Sequence, residues 1–356
     1  MRSHVAREAA LPTLTGSVEM KILITGATGF IGRSLTEGLL ADGHRVVATG
    51  RNDPVGRKLE ASGASFHPAD IRDHEILGSL LPDVEAVIHC AGKSGDRGAE
   101  DEFHSVNVGG TKKVLSACLQ SRVSRLIFMS TPSIYYTGRD RLGVCEDDPL
   151  PSKQKSMYGC TKVAAEKAVV AAQKRGLQSI ILRPRGVYGP HDNTILPRIL
   201  RLAQGKRFPL VDGGRALTDI TYIENLVDAV RLALRAKPDA WNHAYNITNG
   251  EPIAVRDWFK GVLQELDREF LPRTIPRSVA MALGMTAELA SRLPLGPKSP
   301  PITRFSAGYM GTSMTLSTRK AKGLLGYSPA IGNVEGFRRT GRWWSQKSAG
   351  EVPRHD

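Results

Sequence analysis

The chain has 356 residues, of which 41% are hydrophobic and 24% charged. That length and balance exclude a disordered chain and suit a soluble globular enzyme of one large domain or two closely joined ones. The formal net charge is +14, yet the Lys and Arg residues are spread along the chain rather than interleaved with aromatic residues, which argues against nucleic-acid binding. The excess suits either attraction of an anionic cofactor, acyl thioester or membrane face, or general solubility. Four cysteines (Cys90, Cys118, Cys145, Cys160) show no CxxC spacing. They argue against a zinc site or a disulfide framework and fit a reducing, cytoplasmic setting.

In chain order, residues 1–19 lack the apolar core of a secretory signal and read as a flexible extension, with Met20 a second candidate start. An apolar run at 21–25 is the first strand, and TGATGFIG at 25–32 leads into a helix at 34–41. Strands then follow at 45–49, 66–69, 86–90, 125–130 and 179–183, with helices at 74–81, 105–121 and 158–174. Such alternation predicts an α/β chain with a Rossmann-type, doubly wound parallel sheet over 20–186. Prolines then punctuate the chain, and 187–345 reads as a smaller C-terminal substrate lobe, followed by a tail at 346–356. Helices are expected there at 196–203, 224–236 and 255–266, and strands at 219–222 and 244–247 return to the main sheet. The apolar segment 275–295 reads as a substrate lid or a surface helix. Interrupted by Glu288 and Arg292, it falls short of the roughly 20 apolar residues of a membrane span, although peripheral membrane contact stays compatible.

The strand, glycine turn and helix in that order make a cradle for dinucleotide phosphates. Gly26 permits a tight turn, Gly29 close approach of backbone to pyrophosphate, and Gly32 close packing of helix on strand. The helix start offers unpaired N–H groups and partial positive charge. Further on, Tyr158 and Lys162 stand four residues apart, on one helix face. An ammonium beside a phenol lowers its pKa from about 10 and equips it for acid–base work. Thr131 closes the preceding strand and is the preferred hydroxyl to hold a substrate oxygen beside Tyr158, with Ser133 second.

Together these features resemble the extended short-chain dehydrogenase/reductase superfamily, from Met20 to about Trp344. The markers are TGATGFIG, ADIRD (69–73), HCAG (89–92), NVGGT (107–111), MSTPSIY (129–135), YGCTK (158–162) and LRPRGVYGP (182–190), and GxxGxxG is the spacing this superfamily uses. The resemblance implies that Gly26, Thr28, Gly29, Phe30, Ile31 and Gly32 hold the cofactor's phosphates, and that Asp70 and Ile71 border its adenine. It implies that Cys90, Ala91 and Gly92 line the adenosine ribose and pyrophosphate. Asn107 matches an asparagine that holds the active-site helix and a water; Thr131, Tyr158 and Lys162 match the catalytic hydroxyl, tyrosine and lysine. Lys162 also reaches the nicotinamide ribose, and the stretch from Pro184 to Val187 faces the carboxamide.

NAD-binding members put an acid at the end of the second strand, on the ribose 2′-hydroxyl. Here Gly50 takes that place and Arg51 follows, which favours NADP(H) over NAD(H); Asp53 keeps NAD(H) as the alternative. Dehydratases resemble one another in an acid just after the catalytic hydroxyl, where this chain has Pro132 and Ser133. Nucleotide-sugar members commonly carry an arginine where this chain has Thr218, although Arg215 lies close in sequence. Stretches 129–135, 196–203 and 218–225 are more similar to 3β-hydroxysteroid dehydrogenases, sterol-4α-carboxylate 3-dehydrogenases and 2-alkyl-3-oxoalkanoate reductases. The expectation is an NADP-preferring oxidoreductase interconverting a secondary alcohol and a ketone on an apolar substrate, without a metal. A nucleotide-sugar 4-epimerase is the alternative, and a non-catalytic NADP-sensing regulator the alternative of another class. The resemblance also implies a homodimer paired through helices at 107–119 and 158–174.

Overall fold

The computed structural model describes residues 19–95, 98–205, 207–290 and 303–350. The expected extension before Glu19, the lid residues after Ala290 and the tail after Gly350 lie outside the described residues.

The main sheet has seven strands, all parallel. Six are β1 (Lys21–Thr25), β2 (Arg45–Gly50), β3 (Ser65–Pro68), β4 (Ala86–His89), β5 (Arg125–Met129) and β7 (Gln178–Pro184). The seventh is Ala244–Ile247, and the order runs Ala244–Ile247, β7, β5, β4, β1, β2, β3. Ile22, Leu23, Ile24, Val87, Ile88, Leu126, Ile127, Ile180 and Leu182 are all buried. Side chains are buried on both faces because helices cover both, which is why these strands read as unbroken apolar runs. One face carries Phe30–Ala41 and Ile223–Leu234; the other carries Thr111–Gln120 and Met157–Gln173. The order reverses between β1 and β4, so a crevice opens at the carboxyl ends of these strands, where ligands of such sheets bind.

The expected helix at 105–121 is divided. Glu100–His104 is α-helical, Ser105–Gly110 is one π-helical stretch, and Thr111–Gln120 is α-helical again. Gly110 allows Ile71 to close over it, since a Cβ there would lie 2.4 Å from the Ile71 Cδ1.

Two expected strands return differently. Ala244–Ile247 does join the main sheet, beside β7. Thr221–Tyr222 instead pairs with β8 (Val187–Tyr188) in a separate two-stranded sheet. The chain turns off the main sheet at Gly186, whose φ of +53° lets it bend after Pro184. Thr221 follows it there, donating to the Arg185 carbonyl at 2.7 Å. The rest of the lobe contains short pairs that local pattern did not show. The strand β6 (Arg141–Val144) lies beside Met314–Leu316, followed by Leu217–Thr218 and Ile253–Ala254, while Phe208–Val211 pairs with Pro272–Ile275. The described part of the apolar segment forms the helix Arg277–Ala290. It packs through Ala280 and Gly284 on Arg304–Met310, a Gly284 Cβ being only 2.6 Å from the Arg304 nitrogen. Among the described residues no helix is long and apolar enough to cross a membrane.

Candidate active site

The glycine turn fits a dinucleotide. Gly26 has φ +71°, and a Cβ on it would lie 2.6 Å from the Ala91 nitrogen. At Gly32 a Cβ would lie 2.2 Å from the Gly26 carbonyl oxygen, and at Gly29 3.3 Å from it. Gly29 caps the helix Phe30–Ala41 without a side-chain acceptor, so the first-turn N–H groups, with Phe30 and Ile31 among them, are left to whatever enters the crevice. Cys90, Ala91 and Gly92 continue from β4 across from this turn, Cys90 donating its backbone N–H to the Thr25 carbonyl at 3.1 Å. Burial pushes the Cys90 thiol up to about 12, so it stays protonated.

At the end of β2, Thr28 takes the room that a side chain at position 50 would need, its Oγ1 being 2.3 Å from where a Gly50 Cβ would stand. Arg51 is exposed, with Nη1 3.7 Å from Asp70 Oδ2. Asp70 is held by Arg72 through two side-chain bonds, of 2.9 and 2.7 Å, which lower its pKa. Asp53 lies in the first turn of the helix Asp53–Ala61 and faces Arg57 at 3.6 Å. Ile71 is buried against Gly110.

Asn107 occupies the π-helical stretch with every polar atom used. Its Oδ1 accepts from the Lys93 nitrogen at 2.7 Å; its Nδ2 donates to the Lys93 carbonyl at 2.9 Å and to Thr161 Oγ1 at 3.0 Å. It thereby fastens the loop after β4 to the helix Met157–Gln173. Ser156 caps that helix, accepting from the Gly159 nitrogen at 3.0 Å, and so fixes the first turn, which carries Tyr158.

Thr131 follows β5 and is buried. Its hydroxyl donates to Ser133 Oγ at 3.1 Å and accepts from the Ser133 nitrogen at 3.2 Å, so both candidate hydroxyls belong to one turn. Burial pushes the half-buried Tyr158 phenol up to about 12; the neighbouring Thr131 hydroxyl opposes that shift and Tyr309 adds to it. Here the expectation of a lowered pKa is corrected. Lys162 turns its ammonium away, donating to the Met129 carbonyl at 2.6 Å and lying 4.0 Å over the Phe128 ring. Its own pKa falls to about 8 because it is buried, against the attraction of Glu166.

Residues that the sequence reading missed stand behind this pair. Glu166, one turn beyond Lys162, accepts from Ser130 Oγ at 2.5 Å and from Arg183 at 3.0 and 2.7 Å. Arg183 also donates to the Tyr135 phenol. The four-residue spacing from Lys162 to Glu166 was a usable signal. Tyr309 had none, since it comes from a helix far along the chain and meets Tyr136 edge-on at 5.2 Å. Pro184 and Val187 flank the bend at Gly186, and both are buried. Of the two arginines near Thr218, Arg215 is exposed, whereas Arg185 donates through Nε to Thr218 Oγ1 at 3.1 Å. A separate cleft of about 410 Å³, lined by Lys21, His44 and Arg45, opens at the start of the strands, away from these groups.

Residues 22–248 match the profile of the NAD dependent epimerase/dehydratase family. The chain belongs to this family. It is an NAD(P)-dependent oxidoreductase acting on CH–OH groups. It is 34% identical to a 2-alkyl-3-oxoalkanoate reductase of Stenotrophomonas maltophilia (strain K279a), across 90% of this chain and 98% of that one. With a decarboxylating sterol-4-alpha-carboxylate 3-dehydrogenase of Mus musculus it shares 30% identity, across 90% of each. Among solved structures, a dTDP-glucose 4,6-dehydratase (DesIV double mutant) of Streptomyces venezuelae with NAD bound superposes with a TM-score of 0.75 at 23% identity, covering 93% of this chain and 98% of that one. That likeness shows the fold.

Proposed function

We propose that this family member is an NADP-preferring reductase that interconverts a ketone and a secondary alcohol on an apolar substrate. The observation that carries the reading is the Thr131 hydroxyl beside the Tyr158 phenol just past the end of β5, with Lys162 one turn further along the same helix and bonded to the Met129 carbonyl. The bound nicotinamide supplies or takes the hydride; ketone, NADPH and a proton give alcohol and NADP⁺. With its phenol pushed up to about 12, Tyr158 is protonated at neutral pH and can give that proton to the carbonyl oxygen as negative charge develops on it. Thr131 orients the same oxygen through its hydroxyl. Lys162 serves as a buried cation behind the cofactor ribose, and Asn107 ties its helix to the β4 loop.

Support for NADP(H) comes from Gly50 and Arg51. Position 50 carries no acid and Thr28 occupies the space beside it, and the exposed Arg51 guanidinium is free to move onto a 2′-phosphate, its 3.7 Å contact with Asp70 being a loose one. Gly26, Thr28, Gly29, Phe30, Ile31 and Gly32 would hold the phosphates, Asp70, Ile71, Cys90, Ala91 and Gly92 the adenosine, and Pro184 and Val187 the carboxamide. The apolar helix Arg277–Ala290 covers the substrate, and two chains pair through Thr111–Gln120 and Met157–Gln173, where Val170 is 42% exposed. A screen of NADPH oxidation against steroid ketones, 2-alkyl-3-oxo acids and simple aldehydes tests the reading. Turnover of a ketone supports it, whereas isomerisation of UDP- or GDP-sugars without net oxidation of NADPH replaces it.

A further inference from the structure

Arg185 is a buried cation, 3% exposed, one residue past the end of β7. Its Nε donates to Thr218 Oγ1 and its Nη1 to the Tyr309 phenol, and its guanidinium carbon lies 4.5 Å from the Tyr309 ring centre. Among the described residues Nη2 makes no hydrogen bond, and no carboxylate oxygen comes within 4.0 Å of the guanidinium. Asp219 feels its charge but commits Oδ2 to the Leu316 nitrogen at 2.6 Å. Arg183, two residues earlier, has a full counter-ion in Glu166. Nη2 is not among the buried atoms that lack a partner, so it is accessible, and a guanidinium otherwise held by neutral hydroxyls can take an anion there.

Through Tyr309 that cation joins the aromatic cluster that follows Thr131 in the chain. Tyr309, which it holds, acts electrostatically on Tyr158 and stacks on Phe305 at 5.2 Å, and Tyr136 closes the aromatic cluster on the chain that leaves Thr131.

We propose that Arg185 anchors a carboxylate of the substrate, so that the site selects oxo and hydroxy acids over neutral ketones and alcohols. The proposal rests on the oxidoreductase reading above. A planar guanidinium fork matches the two oxygens of a carboxylate. Tyr309 accepts from Nη1, which leaves its own O–H to donate to the same anion. One cation matches the single charge of a carboxylate better than a diphosphate. The aromatic wall beside it suits the apolar chain of such an acid.

The test is oxidation of a 2-alkyl-3-hydroxy acid and of its methyl ester with NADP⁺, by the full chain and by Arg185→Gln and Arg185→Lys. The expected acid-to-ester ratio of kcat/KM is about 100 for the unaltered chain, the size of one or two charge-assisted hydrogen bonds. It falls to near 1 in Arg185→Gln, mainly through KM, and lies between in Arg185→Lys, which keeps the charge but loses the fork. Equal turnover of acid and ester by the unaltered chain overturns the anchor and leaves the reductase reading standing. So does an equal fall for acid and ester in Arg185→Gln, which marks a structural role. Turnover of neither, with NADP⁺ or NAD⁺, overturns both. If Arg185→Gln does not fold, the ratio in the unaltered chain and in Arg185→Lys still decides.

Discussion

Thr28 fills the space beside Gly50: a Cβ at position 50 would lie 2.3 Å from the Thr28 hydroxyl oxygen. A side chain at the chain end where an acid would hold a ribose 2′-hydroxyl would have to displace Thr28, and Arg51 is the next residue. Replacing Arg51 by Ala is expected to lower kcat/KM for NADPH about 10-fold or more, the worth of one charged bond to phosphate, and to change that for NADH little. Steady-state rates with both cofactors check it. Gly50→Asp alone is expected to impair both cofactors, because its Cβ displaces Thr28.

Removing the Glu166 carboxylate leaves the buried Arg183 without its counter-ion. Glu166→Gln is expected to destabilise the chain by about 3–5 kcal/mol, the usual effect of breaking a buried pair from one side. Urea unfolding reads this. Glu166 also raises the Lys162 pKa, so in any chain that stays folded the Lys162 titration moves below about 8. An unchanged basic limb in the pH–rate profile would separate Glu166 from Lys162.

Lys162 itself gives stability a pH dependence of known sign. Its pKa is about 8 in the folded chain against an ordinary 10.5, so between these values the unfolded chain binds more protons. Stability from this group therefore rises with pH over that window, and the cost of burying its charge is fully present below about 8. A Lys162→Met chain lacks this group, so the gap in unfolding free energy between the two chains is expected to shift in favour of Lys162 from pH 8 to pH 10. Tyr158 titrates in both chains and cancels in the difference, and Cys90, at about 12 even with the Lys162 charge pulling it down, stays protonated in both folded chains over this window.

Much of the fold was legible because parallel strands covered on both faces must be apolar throughout. The runs around Ile22–Ile24 and Ile180–Leu182 carry that signature. The glycine turn was legible because steric needs at Gly26 and Gly32 leave no other residue. Tyr158 and Lys162 were legible from their helical spacing, but the direction of the Lys162 ammonium was not, since it depends on the Met129 carbonyl of a strand 33 residues away. The lobe was hardest to read. Leu217–Thr218 and Ile253–Ala254 are two-residue strands made by pairing with each other and, for Leu217–Thr218, with Met314–Leu316 far along the chain, and two residues carry no period. Arg185 and Tyr309 meet across 124 positions, and nothing local to either announces the other.

Asn107 joins the β4 loop to the Tyr158 helix through three hydrogen bonds, so its loss acts on stability and on the site together. Asn107→Ala strands the Lys93 N–H and carbonyl and is expected to cost about 1–3 kcal/mol. It should also lower kcat more than it raises KM for substrate, as the helix carrying Tyr158 loosens. Thermal unfolding with parallel kinetics checks both parts.

Tyr158→Phe tests the central claim most directly. The Tyr158 side chain is half-buried, with the Thr131 hydroxyl as its polar neighbour, so losing the phenol oxygen alone should leave the fold in place. NADPH binding, followed by fluorescence titration, is expected to stay within about threefold of the unaltered chain, while single-turnover hydride transfer to a ketone falls about 10²–10⁴-fold, the range for a positioned acid. Undiminished hydride transfer by Tyr158→Phe would contradict the account.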